Sequence, residues 1–332
     1  MSAPRAAGTH LPYAAVPAPV RAWVESTLGS PVVSTLEQSG GMSPGCVTRL
    51  VCADGTRAFV KAVGSELNPD SPTLYRREVQ ALGLLGSHPL WADLLASYDD
   101  GAWVALLLED VEGRHPDLGD DAEMAQLVEA TDELGRVMRQ RVPDPAGLAG
   151  DPGDGHPLYA PGLVNLRAVF ASWVSGLDRA AEVPPDLMPR WVVEHAETLR
   201  PGVVALGDVP MDRLVHYDIR NDNLLRRPSG EIVVLDWGAC GVGPAWLDPM
   251  LARLERVDRP WFDHSLAHSP ALADAQEQVT SVLVGMGSHL ALRAHTAVDV
   301  GLPALGTFRR QESARFLGAA ARRLGIGVEL GS

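Results

Sequence analysis

His216, Asp218 and Asn223 stand in the stretch LVHYDIRNDNLL at the spacing H-x-D-x-x-x-x-N, and Asp236 follows thirteen residues beyond Asn223 in VVLDWG. Polar side chains this dense between short apolar segments are costly to bury, so they call for a role beyond packing. A carboxylate at a strand end, held by a His-x-Asp loop, can take the proton of an attacking hydroxyl. An amide and a second carboxylate are hard oxygen donors of the kind Mg²⁺ prefers, with nucleotide phosphates completing the shell. The interval between Asn223 and Asp236 has the length of a loop plus a hairpin that brings the two side chains back together. Taken alone, the spacing also fits a polar turn whose Asp and Asn cap local backbone. The D-x-G at the next strand end favours a catalytic loop.

The elements that must carry these residues follow from hydrophobic period and turn composition. PVVSTLEQ is β-branched, and SGGMSPG over Ser39–Gly45 supplies a flexible glycine turn. CVTRLVC and TRAFVKAV alternate as strands around Ala53-Asp54-Gly55. SPTLYRREVQALGLLG opens a helix with Ser71 as N-cap and Pro72 at the first helical position, and Leu74, Val79, Leu82 and Leu85 roughly follow its period. Strands LLASY and AWVALLLE come next, joined by Asp99-Asp100-Gly101. Helices are expected over Asp121–Arg141, Leu163–Ala180 and Leu187–Leu199. Short strands over Arg213–His216 and Asn223–Arg226 flank the polar loop, another covers Glu231–Asp236, and 245–325 reads as helices. The predicted fold class is α+β, with a small antiparallel-sheet lobe ahead of a larger, mainly helical one. Its expected divisions are a flexible arm over 1–19, an N-lobe over 20–111 starting with a helix at Val20–Leu28, and a C-lobe over 112–332. A connector near Glu109–Gly113 joins the lobes.

Bulk properties narrow the chemistry. The chain has 332 residues, 46% of them hydrophobic, and a net charge of −14. That balance argues against nucleic acid as the main partner, since phosphate binding needs clustered Lys and Arg, and it is compatible with a cationic small substrate. Cys46, Cys52 and Cys240 form no CxxC pair, which argues against a disulfide framework or zinc site and for a reducing cytoplasm. The N-terminal stretch lacks the apolar run of a signal peptide. The most apolar segment, VTSVLVGMGSHLAL from Val279, is broken by Gly and His, so no membrane partner is expected. Oligomeric state is left open.

In order, the landmarks are a glycine turn, Lys61 on the third strand, Glu78 in the next helix, a connector, H-x-D-x-x-x-x-N and D-x-G. In that order the chain resembles the protein-kinase-like superfamily. Within it, the similarity is to the aminoglycoside phosphotransferase and choline kinase branch of small-molecule kinases. The resemblance spans about 30–325 and is strongest over Leu214–Asp248. It implies a bilobal protein-kinase-like fold with ATP or GTP in the cleft, the base near the Glu109–Val111 hinge, and Gly40 and Gly41 over the phosphates. It further implies Asp218 as catalytic base, Asn223 and Asp236 on Mg²⁺, and Lys61 at the α- and β-phosphates with Glu78 orienting it. Arg220 would meet the transferring phosphate, while His216 and Asp248 brace the loop.

The sequence also departs from the pattern. Tyr217 stands where antibiotic kinases often carry the Gly of H-G-D, the glycine turn is not G-x-G-x-x-G, and no Walker A sequence occurs. Protein kinases follow D-F-G with a long segment ending in A-P-E; here Asp248 lies only twelve residues after Asp236, leaving little platform for a peptide. The expected activity is therefore Mg²⁺-dependent transfer of a γ-phosphoryl group from ATP or GTP to a hydroxyl of a small-molecule alcohol. Net acidity favours an aminoglycoside or other cationic alcohol, with neutral sugars and choline-like amines as alternatives. A nucleotide-binding pseudokinase with a regulatory or partner role is the second reading; the presence of Lys61, Asp218 and Asp236 together counts against it. Asp117, Asp120, Asp121 and Glu123 read as a capped helix start rather than a substrate contact. The eight Trp residues read mainly as core, and His264, His268, His289 and His295 lack the companions of a metal site.

Overall fold

The computed structural model describes residues 10–41, 43–297, 302 and 304–326. Strands β1 (Val32–Glu37), β2 (Cys46–Cys52), β3 (Arg57–Gly64), β4 (Leu94–Asp99) and β5 (Trp103–Leu108) form an antiparallel sheet ordered β1-β2-β3-β5-β4. Side chains alternate across a strand, so the two faces of β5 meet different partners. Trp103, Ala105 and Leu107 join Ala58, Val60 and Ala62 of β3 under helix α1 (Ala18–Leu28). Val104, Leu106 and Leu108 join Val63 under helix α2 (Ser71–Leu85). Lys61 therefore faces α2. The arm expected over 1–19 is docked from Tyr13 onward, because Tyr13 and Val16 are buried with Val20 and Val24 on the sheet. Residues 1–9 lie outside the described residues. The start of α2 also differs from expectation: Asn68 supplies the cap, its Oδ1 accepting from Asp70 N at 3.0 Å and Ser71 N at 2.9 Å.

The helical part begins with α3 (Asp121–Arg141), where Asp120 accepts from Ala122 N and Glu123 N as a cap. It continues through β6 (Val164–Asn165), α4 (Leu166–Asp178) and α5 (Arg190–Ala205) to β7 (Arg213–Val215). The short strands β8 (Leu224–Arg226) and β9 (Ile232–Val234) form a hairpin, and β10 (Gly241–Gly243) sits between β6 and β7. Helices α6 (Leu247–Leu251), α7 (Pro260–Ala267), α8 (Gln276–Thr296) and α9 (Leu305–Arg323) complete it. Three points differ from the sequence reading. The expected helix over Leu163–Ala180 begins only at Leu166, because Val164 and Asn165 pair with β10 and the Asn165 side chain caps the helix from Ala168 N. α5 runs on through Pro201, held by buried Val203 against Gly285 of α8. β10 went unread because glycine disfavours strands. Here Gly241 is required by space, since a Cβ on it would lie 2.6 Å from Val164 O.

Helix α8 packs chiefly on α9 and α4. At Gly176 the α4 backbone approaches so closely that a Cβ would fall 2.4 Å from His289 N, which fixes His289 against α4. Trp91, Trp103, Trp173, Trp191 and Trp237 are buried in the core. All three cysteines are free and buried. Among the described residues, no helix is long and apolar enough to cross a membrane.

Candidate active site

Strand β7 delivers the chain into a buried loop. His216 is fully buried; its Nδ1 accepts from Asp218 N at 3.2 Å, so Nε2 carries the proton and donates to Leu235 O at 3.0 Å. Burial holds the imidazole below its ordinary pKa despite the nearby Asp248, Asp218 and Asp236. Asp248, in the first turn of α6, accepts from His216 N at 2.7 Å and from Tyr217 N at 2.9 Å. Tyr217 adopts φ 66°, a left-handed conformation that costs a non-glycine residue about 1–2 kcal/mol. The two bonds from Asp248 hold it there, compensating for the glycine the loop lacks.

Those bonds carry a prediction. Asp248→Ala leaves two buried N–H groups unpaired at about 1–3 kcal/mol each, so urea denaturation should register a loss of about 2–5 kcal/mol. Asp248→Asn retains one acceptor and should lose about half as much. A midpoint unchanged in the alanine variant would remove Asp248 from its bracing role.

The loop presents Asp218 at the end of this brace. Asn223, in the 3₁₀ turn before β8, donates through Nδ2 to Asp218 O at 2.9 Å and to Asp218 Oδ2 at 2.8 Å. Arg220 Nε lies 3.4 Å from Asp218 Oδ1 and 3.0 Å from Asp222 Oδ1, with its guanidinium 5.3 Å from the Phe308 ring centroid. Burial disfavours the Arg220 charge, but Asp218 and Asp222 outweigh it and hold the pKa above its usual value. Asp222 is pushed up to about 6 by burial, against the pull of Arg220. The β8–β9 hairpin does what the spacing required: Leu224 pairs with Val234, and Leu235 N donates to Asn223 O at 2.8 Å, so Asp236 emerges beside Asn223.

Asp236, itself at φ 62°, meets the sheet lobe through Lys61. Lys61 Nζ lies 2.5 Å from Glu78 Oε2 and 3.0 Å from Asp236 Oδ1. Burial opposes the ammonium charge, yet Asp236 and Glu78 prevail and raise the Lys61 pKa. Asp236 is held below the usual carboxylate range because Lys61 outweighs its burial, whereas burial keeps Glu78 above it. Arg77, next to Glu78, is not on the solvated helix face that its sequence suggests. It is 1% exposed and donates to the carbonyls of Leu158, Ala160, Gly162 and Gly238 at 2.6–3.0 Å.

Two cavities meet at this junction. The smaller, about 160 Å³, is lined by Gly40, Gly41 and Lys61 on one side and by Asn223 and Asp236 on the other. Glu109 and Val111 also line it, with Phe59, Leu82 and Leu108 as apolar wall. The larger, about 390 Å³, has Asp218, Arg220 and Asp236 in its wall. The structure thus gathers every site residue read from sequence except His216 and Asp248, which stand behind the loop. It adds Asp222, Arg77 and Glu255, whose Oε1 accepts from Asn221 N at 3.1 Å. Of these, only Asp222 lay within the motif that signalled the site.

Metal-holding capacity can be read from the unused oxygens. Lys61 takes Asp236 Oδ1 and Asn223 donates through Nδ2, which leaves Asp236 Oδ2 and Asn223 Oδ1 for a ligand, and both residues line the smaller cavity. Among the described residues, no group of three or more His, Cys, Asp or Glu could hold a metal by itself. Two oxygen donors with phosphates and water are the usual Mg²⁺ arrangement, so the donor set fits that ion.

Known proteins share this architecture. A thermostable mutant of aminoglycoside phosphotransferase APH(4)-Ia, solved with ADP and hygromycin B, superposes with a TM-score of 0.59 at 16% identity, covering 94% of this chain and 99% of that one. Choline kinase LicA from Streptococcus pneumoniae superposes with a TM-score of 0.50 at 15% identity, covering 90% and 97%. At such identities the likeness is one of fold, and it bears out the bilobal protein-kinase-like class. No curated protein matches the sequence. The profile of the phosphotransferase enzyme family matches residues 53–269, from the turn between β2 and β3 to just past α7. That span holds Lys61, Glu78, the loop from His216 to Asn223 and Asp236, and the chain belongs to this family of phosphotransferases.

Proposed function

We propose that the chain transfers the γ-phosphoryl group of ATP or GTP to a hydroxyl of a small-molecule alcohol, with Mg²⁺ as cofactor. In this reading the N-lobe, 20–111, binds the nucleotide and the C-lobe, 112–332, carries the catalytic loop and the acceptor. One observation supports it most: Asp236 lines both cavities, with Lys61 on one side of it and Asp218 on the other. A nucleotide in the smaller cavity and an alcohol in the larger would meet at the carboxylates. The nucleotides in the solved relative favour a nucleotide donor, and three free thiols suit a cytoplasmic setting.

Phosphoryl transfer relies on positioning and charge rather than covalent participation by the protein. Lys61, oriented by Glu78, steadies the α- and β-phosphates. Asn223 and Asp236 would hold Mg²⁺, which would supply charge neutralisation at the phosphates. Asp218 Oδ1 accepts the acceptor's proton while Asn223 fixes the other oxygen. Arg220 brings a positive charge toward the transferred group. His216 and Asp248 keep the loop in place.

The test is labelled ATP or GTP with a panel of alcohols, with and without chelator. Transfer should fall at least 10²-fold on chelation and return with Mg²⁺, the scale of charge stabilisation lost with the ion. Transfer indifferent to chelation would overturn the metal role; nucleotide binding with no transfer to any alcohol would favour the pseudokinase. The net charge of −14 favours a cationic acceptor such as an aminoglycoside. That field is screened beyond about 8 Å at physiological salt, so the groups lining the larger cavity decide the matter.

A further inference from the structure

Three helices converge on the larger cavity, and each offers one stripe at helical spacing. Helix α8 presents Met286, His289, Leu290 and Arg293; α9 presents Phe308, Arg309, Glu312 and Phe316; α4 presents Val169, Ser172 and Trp173. The walls are mostly apolar, and their charges do not follow the acidity of the whole chain. Outside the catalytic carboxylates, the acids of this cavity are engaged. Glu312 is paired with Arg315 at 2.8 Å, and Glu255 accepts from Asn221 N. Three of the cations are engaged as well: Arg77 by four carbonyls, Arg220 by Asp218 and Asp222, and Arg309 by an interaction of its own.

Arg293 is different. It lines the cavity half-buried, and its guanidinium makes no hydrogen bond or ion pair among the described residues. Two imidazoles stand near it. His156 accepts at Nδ1 from Leu158 N at 3.3 Å, which leaves its Nε2–H as a donor. His289 is pushed down to about 4 by burial and by His156, Arg293 and Arg309, so it is neutral at physiological pH. Burial followed by Arg293 and Arg309 lowers His156 too. Beyond burial, Arg293 and Arg309 act on both imidazoles, with Asp70 opposing them at His156, so this end of the cavity carries positive charge. A cationic ligand would add to that charge; an oxyanion would offset it.

We propose that the acceptor is an amphipathic alcohol bearing an oxyanion group, carboxylate or phosphate, received by Arg293 with His156 and His289. Trp173, Met286 and Phe308 cover its apolar body, and its hydroxyl reaches Asp218. The proposal rests on the phosphotransfer reading above and names the substrate class of the same site.

Calorimetric titration of the full chain tests it with four matched probes: para-(hydroxymethyl)phenylacetate, its methyl ester, the corresponding primary amine and the corresponding phosphate. A hydrogen-bonded charge contributes roughly 1.5–3 kcal/mol, so at least one anion should bind about 10–100-fold more tightly than the ester or the amine. Whichever anion leads identifies the oxyanion. Arg293→Gln should erase that preference and Arg293→Lys should keep part of it. Arg190→Gln, which removes the same charge from an exposed site on α5, should leave it intact. Equal binding, no binding, or a lead for the ester or amine overturns the proposal, as does a preference that survives Arg293→Gln. Mg-ATP titrated in parallel separates the two readings. Retained Mg-ATP affinity with no anion preference sinks only the acceptor assignment, whereas loss of Mg-ATP binding by the wild-type chain would sink the phosphotransfer reading itself.

Discussion

Asp218→Asn should leave Mg-ATP affinity within about a factor of three and lower kcat by on the order of 10² or more, the scale of a lost general base and its positioning. The geometry makes this substitution informative. Asn223 Nδ2 donates to one carboxylate oxygen and to the Asp218 carbonyl, and both acceptors survive the change, so the loop keeps its shape. What disappears is the second oxygen, the one near Arg220, which becomes an NH₂ group unable to take a proton. Arg220 retains Asp222, 3.0 Å away, so its charge is not stranded. Initial rates at saturating Mg-ATP decide the matter, and a kcat within about threefold of wild type would strip Asp218 of the proton-accepting role.

A comparable loss, seen in binding rather than turnover, is expected at Asp236. Asp236→Ala should weaken Mg-ATP by on the order of 10² or more, and Asn223→Ala by about tenfold, because a carboxylate compensates the ion's charge and a neutral amide does not. Asp236 also faces Lys61, so its removal leaves the ammonium with Glu78 alone. The two losses should therefore differ in kind as well as size. Without Mg²⁺, nucleotide affinity should change little in the Asn223 variant and noticeably in the Asp236 variant. Calorimetry with equal Mg-ATP affinity in the Asp236 variant and wild type would exclude Asp236 as a metal ligand.

The catalytic half of this arrangement was legible because its signals are local. Strand alternation in AFVKAV puts Lys61 on the face opposite Ala58, Val60 and Ala62, and the turn at Pro228-Ser229-Gly230 returns Asp236 to Asn223. Features set by distant contacts were hidden. Arg77 looks like half of an Arg-Arg pair on a wet helix face until its four carbonyl partners, from residues 158 to 238, are in place. The Gly241–Gly243 strand contradicts propensity because the neighbours of Gly241 leave no room there for a side chain. Pro201 looks like a terminator, yet tertiary packing of Val203 carries α5 past it. The acceptor cavity was the most deeply concealed. The stripes of α8 and α9 are visible at helical spacing, but nothing local says that they face the same space as Trp173 and Asp218. Net charge is a property of the whole surface and says little of a wall only a few residues wide.

Arg77 has a further consequence for control. In protein kinases, the helix bearing the lysine's glutamate partner is a point of regulation, and its position sets activity. Here the residue beside that glutamate is anchored to four backbone oxygens of the other lobe. Swinging α2 outward would break bonds to a charged donor, each contributing about 1.5–3 kcal/mol, so even partial rehydration leaves the swung-out conformer below roughly 1% of the population. A catalyst built this way does not use outward movement of α2 as its switch. Its throughput follows the supply of nucleotide and alcohol, and a cell would govern it by how much protein it makes.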